Sequence, residues 1–89
     1  MDAPKHLEVI SVALASVGFR LLCAEAGSMD SGVAQFSDGS RTLRVIKDRG
    51  QWFLDGRREE LESVGLWGAF NHTEEFRDAV RAYISRATP

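Results

Sequence analysis

The sequence predicts an α+β domain that spans residues 1–89 as a single unit. We expect a helix, a four-stranded antiparallel meander, an irregular or short helical segment and a last helix, with both long helices packed on one sheet face. Three patterns predict this order: helical apolar spacing after Pro4, tight-turn signals at Asp38-Gly39 and Asp48-Arg49-Gly50, and helical spacing again after Thr73. A chain of 89 residues is long enough for one small core.

The two long helices are marked by apolar residues at three- and four-residue steps. The first is predicted over Pro4–Val17, and Gly18 follows as a left-handed cap. The last begins at Thr73, a good N-cap, with Glu74 and Glu75 favourably placed near the positive end of the helix dipole. The apolar stripes of the two helices consist of Leu7, Ile10, Leu14 and Val17 in the first, and Phe76, Val80, Tyr83 and Ile84 in the last.

The first two strands are short and are separated by a polar loop. Alternation over Phe19–Ala24 predicts a strand with Cys23 on the core side. The turn-forming run Glu25–Gly32 ends it, and a second strand, Val33–Ser37, follows.

The stretch Arg41–Asp55 is predicted as a β-hairpin, and two turns set the register of the sheet. A two-residue Asp38-Gly39 turn would pair Ala34 with Leu43, and a three-residue loop ending at Gly50 would pair Val45 with Phe53 and Ile46 with Trp52. The predicted core face then carries Ala34, Phe36, Leu43, Val45 and Phe53. The predicted outer face carries Val33, Gln35, Thr42, Arg44, Ile46, Trp52 and Leu54.

The residues between the sheet and the last helix are less regular. A helical turn and a loop are both compatible with Arg57–Glu62. The glycine-interrupted apolar run Val64–Phe70 should dock irregularly against the rim of the core.

The composition predicts a cytoplasmic protein with no membrane association. A single cysteine, Cys23, cannot form an internal disulfide. The first six residues lack the basic start and apolar core of a signal peptide, and no apolar run approaches the roughly 20 residues that span a bilayer.

No residues are spaced for catalysis, for a cofactor or for a metal ion. His6 and His72 lie near the starts of different helices without partners at ligand spacing. A core-facing Cys23 would behave as a small hydrophobic residue, and the glycines of Glu25–Gly32 match no phosphate-binding motif. We therefore expect a protein that is not an enzyme and that needs no cofactor or metal.

A candidate partner-binding site lies on the predicted outer face, at Arg44, Ile46, Trp52 and Leu54. Tryptophan and arginine are enriched at binding hot spots. The alternative is that Glu25–Gly32 or Val64–Phe70 covers this face and makes Trp52 part of the core.

A basic surface is the basis of a second hypothesis, nucleic-acid binding. Six basic residues against Asp48 and Asp55 give the range 41–58 a balance of +4, whereas the whole chain is −2. The basic residues are Arg41, Arg44, Lys47, Arg49, Arg57 and Arg58. These would meet phosphates while Trp52 stacks on a base, but the pI near 5.6 argues against nucleic acid as the partner.

The order of elements resembles small bacterial domains of the toxin-immunity type. The resemblance is carried by the Gly18–Leu21 strand, the Leu43–Leu54 hairpin and the Thr73–Phe76 helix start, and it covers most of the chain as a pattern of elements. It implies a non-catalytic protein that binds and neutralises a toxin, but it identifies no functional residue in this sequence.

Self-association as a homodimer, through the outer face or an edge strand, is the third hypothesis.

Overall fold

The structure is a computed structural model that describes residues 6–87, and it confirms the predicted α+β fold. The four strands form one antiparallel sheet in the order β1-β2-β3-β4. The elements are α1 (Leu7–Ala15), β1 (Arg20–Ala26), β2 (Gly32–Ser37), β3 (Thr42–Asp48), β4 (Gln51–Asp55), α2 (Arg58–Ser63) and α3 (Thr73–Ala87). The predicted helix start at Pro4 lies outside the described residues.

Both long helices pack on the same face of the sheet, as predicted. α1 and α3 place their apolar stripes in one buried cluster with Ala34, Phe36 and Val45 of the sheet. The buried helix residues are Leu7, Ile10, Leu14, Phe76, Val80 and Ile84. Gly18 has the expected left-handed backbone, with a φ of 91°. None of the helices in this part of the chain combines the length and apolarity needed to cross a membrane.

The β2–β3 connection is a four-residue loop instead of the predicted two-residue turn. Ser37 pairs with Thr42, and Ala34 pairs with Val45 instead of Leu43. Asp38 closes the loop, because its Oδ1 accepts the backbone N–H groups of Ser40 at 2.8 Å and Arg41 at 2.7 Å. The register shifts by an even number of residues, so Ala34, Phe36 and Val45 still lie on the core face as predicted.

Asp38 should make the stability of the protein depend on acid pH. The N–H groups of Arg41 and Ser40 hold the pKa of Asp38 below its ordinary value of 3.8. The ionised carboxylate therefore stabilises the fold above about pH 4, and this contribution is lost as the pH falls through the folded pKa. We expect Asp38→Ala to lower the urea midpoint at neutral pH, with a difference from wild type that narrows in acid. A difference that stays constant down to about pH 2.5 would contradict this role.

The β3–β4 hairpin turns through two residues, and this overturns the predicted register. Arg49 and Gly50 have φ values of 51° and 82°, the pattern of a type I′ turn. Consequently Ile46 pairs with Phe53 instead of Trp52, and Val45 pairs with Leu54. A one-residue slip moves every β4 side chain to the opposite face of the sheet.

A β-bulge in β1 corrects the prediction for Cys23. Leu21 pairs with Phe36 and Cys23 with Gln35, so Leu22 is an extra residue between them. The bulge reverses the alternation of side chains, which brings Ala24 into the core and leaves Cys23 exposed instead of core-facing.

The segment after the sheet closes the core from the side of β4. Residues 58–63 form the short helix α2, one of the two forms that the sequence allowed, and Leu61 and Leu66 are buried. The Tyr83 hydroxyl donates a hydrogen bond to Glu60, which joins α2 to α3 and raises the pKa of Tyr83.

Candidate functional site

Two of the four predicted binding residues, Trp52 and Leu54, lie in the core. Trp52 is 1% exposed and Leu54 is 6% exposed, so the prediction that they form an outer surface is wrong. The two-residue β3–β4 turn is enough to place both side chains on the core face. Their burial therefore does not require a loop that covers the outer face. Arg44 and Ile46 do lie on the outer face, as predicted. The register of β3 differs from the predicted one by two residues, and such a shift leaves each side chain on its predicted face.

Trp52 joins the sheet to the start of α3. Its ring stacks on Phe76 with centroids 5.6 Å apart, and its Nε1 donates a hydrogen bond to the Thr73 hydroxyl at 3.0 Å. Its backbone N–H and carbonyl both pair with Phe70, at 2.8 and 2.9 Å. Because the ring is buried and stacked on Phe76, Trp52 is not available to stack on a nucleic-acid base.

Lys47 is a buried cation on the core face, opposite Trp52. It is 3% exposed, its Nζ lies 3.2 Å from Asp30 and 4.9 Å from the centroid of the Trp52 ring. A polar depression of about 330 Å³ beside it is also lined by His6 and His72. The ion pair with Asp30 compensates the charge of the lysine, which makes its role structural.

The other members of the predicted basic surface mostly have acidic neighbours. Arg44 lies 3.5 Å from Asp55, and Arg58 pairs with Glu62. The remaining ion pairs of this set are Arg41 with Asp38 and Arg57 with Glu60. Lys47 is also buried, so the net charge of +4 carried by residues 41–58 does not form a continuous basic surface for binding a phosphate backbone.

The outer face of the sheet carries a continuous row of apolar side chains. Val33 of β2 pairs with Ile46 of β3, and Ile46 pairs with Phe53 of β4. We call Val33, Ile46 and Phe53 the apolar row. All three are half-buried, yet none belongs to the core cluster or packs against it. They are direct cross-strand neighbours on strands about 4.8 Å apart, and each keeps part of its surface exposed to solvent.

Polar residues border the apolar row at one end and along one side. Glu25 of β1 pairs with Val33 at one end of the row. The adjacent row consists of Gln35, Arg44 and Asp55, with the Arg44–Asp55 ion pair half-exposed on both sides. An apolar centre with a polar rim is the usual arrangement of a protein-binding surface.

Sequence reasoning missed two aromatic residues outside the core, the half-buried Phe53 and the exposed Trp67. A three-residue loop at Asp48-Arg49-Gly50 predicts Phe53 in the core, whereas the observed two-residue turn places it on the outer face. Trp67 is 50% exposed, with the Arg58 guanidinium 5.3 Å from its ring centroid. Its flanking Gly65 and Gly68 both have positive φ, and such irregular backbone gives no alternation from which exposure could be predicted.

Residues 6–87 contain no group of three or more His, Cys, Asp or Glu side chains arranged to hold a metal ion. No protein-family model matches the chain, and neither the curated proteins nor the solved structures searched include a match. What the protein can bind must therefore be inferred from its own surface.

Proposed function

We propose that this domain is a non-catalytic protein-binding module that uses the outer face of its sheet. The observation that carries the proposal is the apolar row of Val33, Ile46 and Phe53, on a face where no helix of residues 6–87 packs. Apolar surface that is contiguous and rimmed by polar groups usually marks a partner site. Arg44, beside the row, can orient the partner through its half-exposed guanidinium.

The partner that best fits this proposal is a toxin, which the domain would neutralise by covering it. The resemblance of the element order to immunity-type domains supports this choice. A face built on four hydrogen-bonded strands is preorganised, which suits the tight binding that an antagonist needs.

The experiment compares partner capture by wild type and by Ile46→Glu. Ile46 is the middle residue of the apolar row, so a buried carboxylate at this position should weaken the complex by at least about tenfold. Both proteins are immobilised and exposed to lysate of the native host, and the dissociation constant of each retained protein is then measured by calorimetry. Circular dichroism checks that the variant is folded.

Val12→Glu is the matched control, because Val12 is 72% exposed on α1 and its replacement adds the same charge away from the sheet face. It should leave the affinity unchanged. A partner that binds wild type and Ile46→Glu equally well, or that is lost from Val12→Glu, would rule out the outer face as the binding surface.

A further inference from the structure

The two edges of the sheet differ in how they are protected. At β4, Phe70 pairs with Trp52 through both backbone groups of the tryptophan. β1 is the other edge strand, and within residues 6–87 its only neighbouring strand is β2. β1 is also longer, with seven residues against five in β4. The β1 edge is therefore the one whose outward-pointing backbone groups, on both sides of the bulge, are not paired with another strand of residues 6–87.

The open edge also exposes apolar side chains. Six of the seven residues of β1 are exposed, and only Ala24 is buried. Leu21 is 44% exposed and Leu22 is 59% exposed. A strand that shows both unpaired backbone groups and leucine side chains is suited to pairing with another strand.

The bulge brings two opposite charges onto the same face at the two ends of β1. Arg20 pairs with Ser37 and Glu25 pairs with Val33, and Ser37 and Val33 share one face of β2 because they are four residues apart. In a regular strand Arg20 and Glu25, five residues apart, would point to opposite faces. Within residues 6–87 neither side chain takes part in an ion pair with an acidic or basic residue.

We propose that β1 pairs antiparallel with β1 of a second copy, which forms a continuous sheet of eight strands, four from each copy. A two-fold axis perpendicular to the sheet keeps each face on its own side. With the axis between Leu22 and Cys23, Arg20 lies opposite the partner's Glu25, and Leu21 lies opposite the partner's Ala24. Both pairs join residues of the same face, and each occurs twice.

The bulge is what makes this register possible. Two-fold pairing of regular strands opposes residues an even number of positions apart, which would exclude Arg20 with the partner's Glu25. The extra residue Leu22 removes this restriction for the pairs on either side of the axis. A second copy is favoured over a strand of another protein because the charges of β1 complement themselves. The pairing leaves the apolar row open, so it does not depend on the proposed function.

Reciprocal charge reversal tests the register. Arg20→Glu places two acidic side chains opposite each other at both ends of the paired strands, and Glu25→Arg does the same with two basic ones. Each single variant should raise the dimer dissociation constant, measured by sedimentation equilibrium, at least about tenfold. The double variant Arg20→Glu/Glu25→Arg restores both opposite-charge pairs and should return the constant to near the wild-type value.

Two controls separate this interface from other causes. Arg57→Glu makes the same change of charge on an exposed side chain outside β1 and should not affect the dimer. Phe53→Ala should not affect it either, because the apolar row lies outside the interface. A monomeric wild type at sub-millimolar concentration, a double variant as weak as the singles, or a dimer dissociated by Phe53→Ala would each overturn the proposal.

Discussion

Trp52→Ala is expected to lower the free energy of unfolding by about 3–5 kcal/mol, the cost of removing a large aromatic side chain from a core. Trp52 is 1% exposed, stacks on Phe76 and donates a hydrogen bond to Thr73. The variant therefore loses core packing and also the hydrogen bond that holds the start of α3 against the sheet. Because a small domain has only a few kcal/mol to lose, much of the variant should be unfolded at 37 °C. Urea unfolding followed by circular dichroism measures the change.

Phe53→Ala is the matched control for this experiment. Phe53 is the next residue in β4 but lies on the outer face, so its removal should cost no more than about 1 kcal/mol. If Phe53→Ala proved to be the severe change and Trp52→Ala the mild one, the hairpin would have the three-residue loop and the two-residue turn would be wrong.

Asp30→Asn is expected to have the second large effect, a loss of about 2 kcal/mol, because it removes a carboxylate from beside a buried ammonium. The Lys47 Nζ lies 3.2 Å from Asp30, and the lysine is 3% exposed whereas Asp30 is 36% exposed. The water around Asp30 keeps the loss below that of a fully buried pair. Asparagine preserves the left-handed backbone at this position, where φ is 55°, so the measurement isolates the charge.

Lys47→Met separates the charge of the lysine from its packing. Methionine fills a similar volume on the core face and should leave the stability within about 1 kcal/mol of wild type. The double variant Asp30→Asn/Lys47→Met should then lose less stability than Asp30→Asn alone. Additive losses would show that Asp30 acts through the backbone of its loop and not through Lys47.

The elements of this fold could be predicted because each carries a strong local pattern. The helical stripes of α1 and α3 agree with the residues that the structure buries, and Val17 packs against the core although α1 itself ends at Ala15. The sequence also correctly predicts which side chains of β2 and β3 face the core. An error of two residues in their connection leaves every side chain on its predicted face, which makes parity more robust than register.

The face of β4 could not be predicted, since it depends on the backbone of one residue. Asp48-Arg49-Gly50 is compatible with a three-residue loop, in which only Gly50 is left-handed, and with a two-residue turn, in which Arg49 is left-handed too. Positive φ is uncommon for arginine, which favours the first choice locally. The two-residue turn buries both Trp52 and Leu54, and the free energy gained by removing their apolar surface from water outweighs the local backbone preference.

The same limit explains Cys23. Nothing in Phe19–Ala24 signals an extra residue, because both parities of the run contain apolar side chains. The bulge follows from how β1 fits against β2 and α1, which is information held by other parts of the chain.

The pairing of Phe70 with Trp52 has a consequence for how far association can proceed. A sheet with two open edges can polymerise, since each added copy leaves a new edge for the next. Here Phe70 blocks the β4 edge at Trp52 with two backbone hydrogen bonds, so the proposed pairing of β1 with a second copy would leave an obstructed β4 at each end of the eight-stranded sheet. Raising the concentration should therefore increase the number of pairs and not the length of the assembly. By obstructing the β4 edge, the irregular segment that contains Phe70 should therefore limit growth of the sheet beyond two copies.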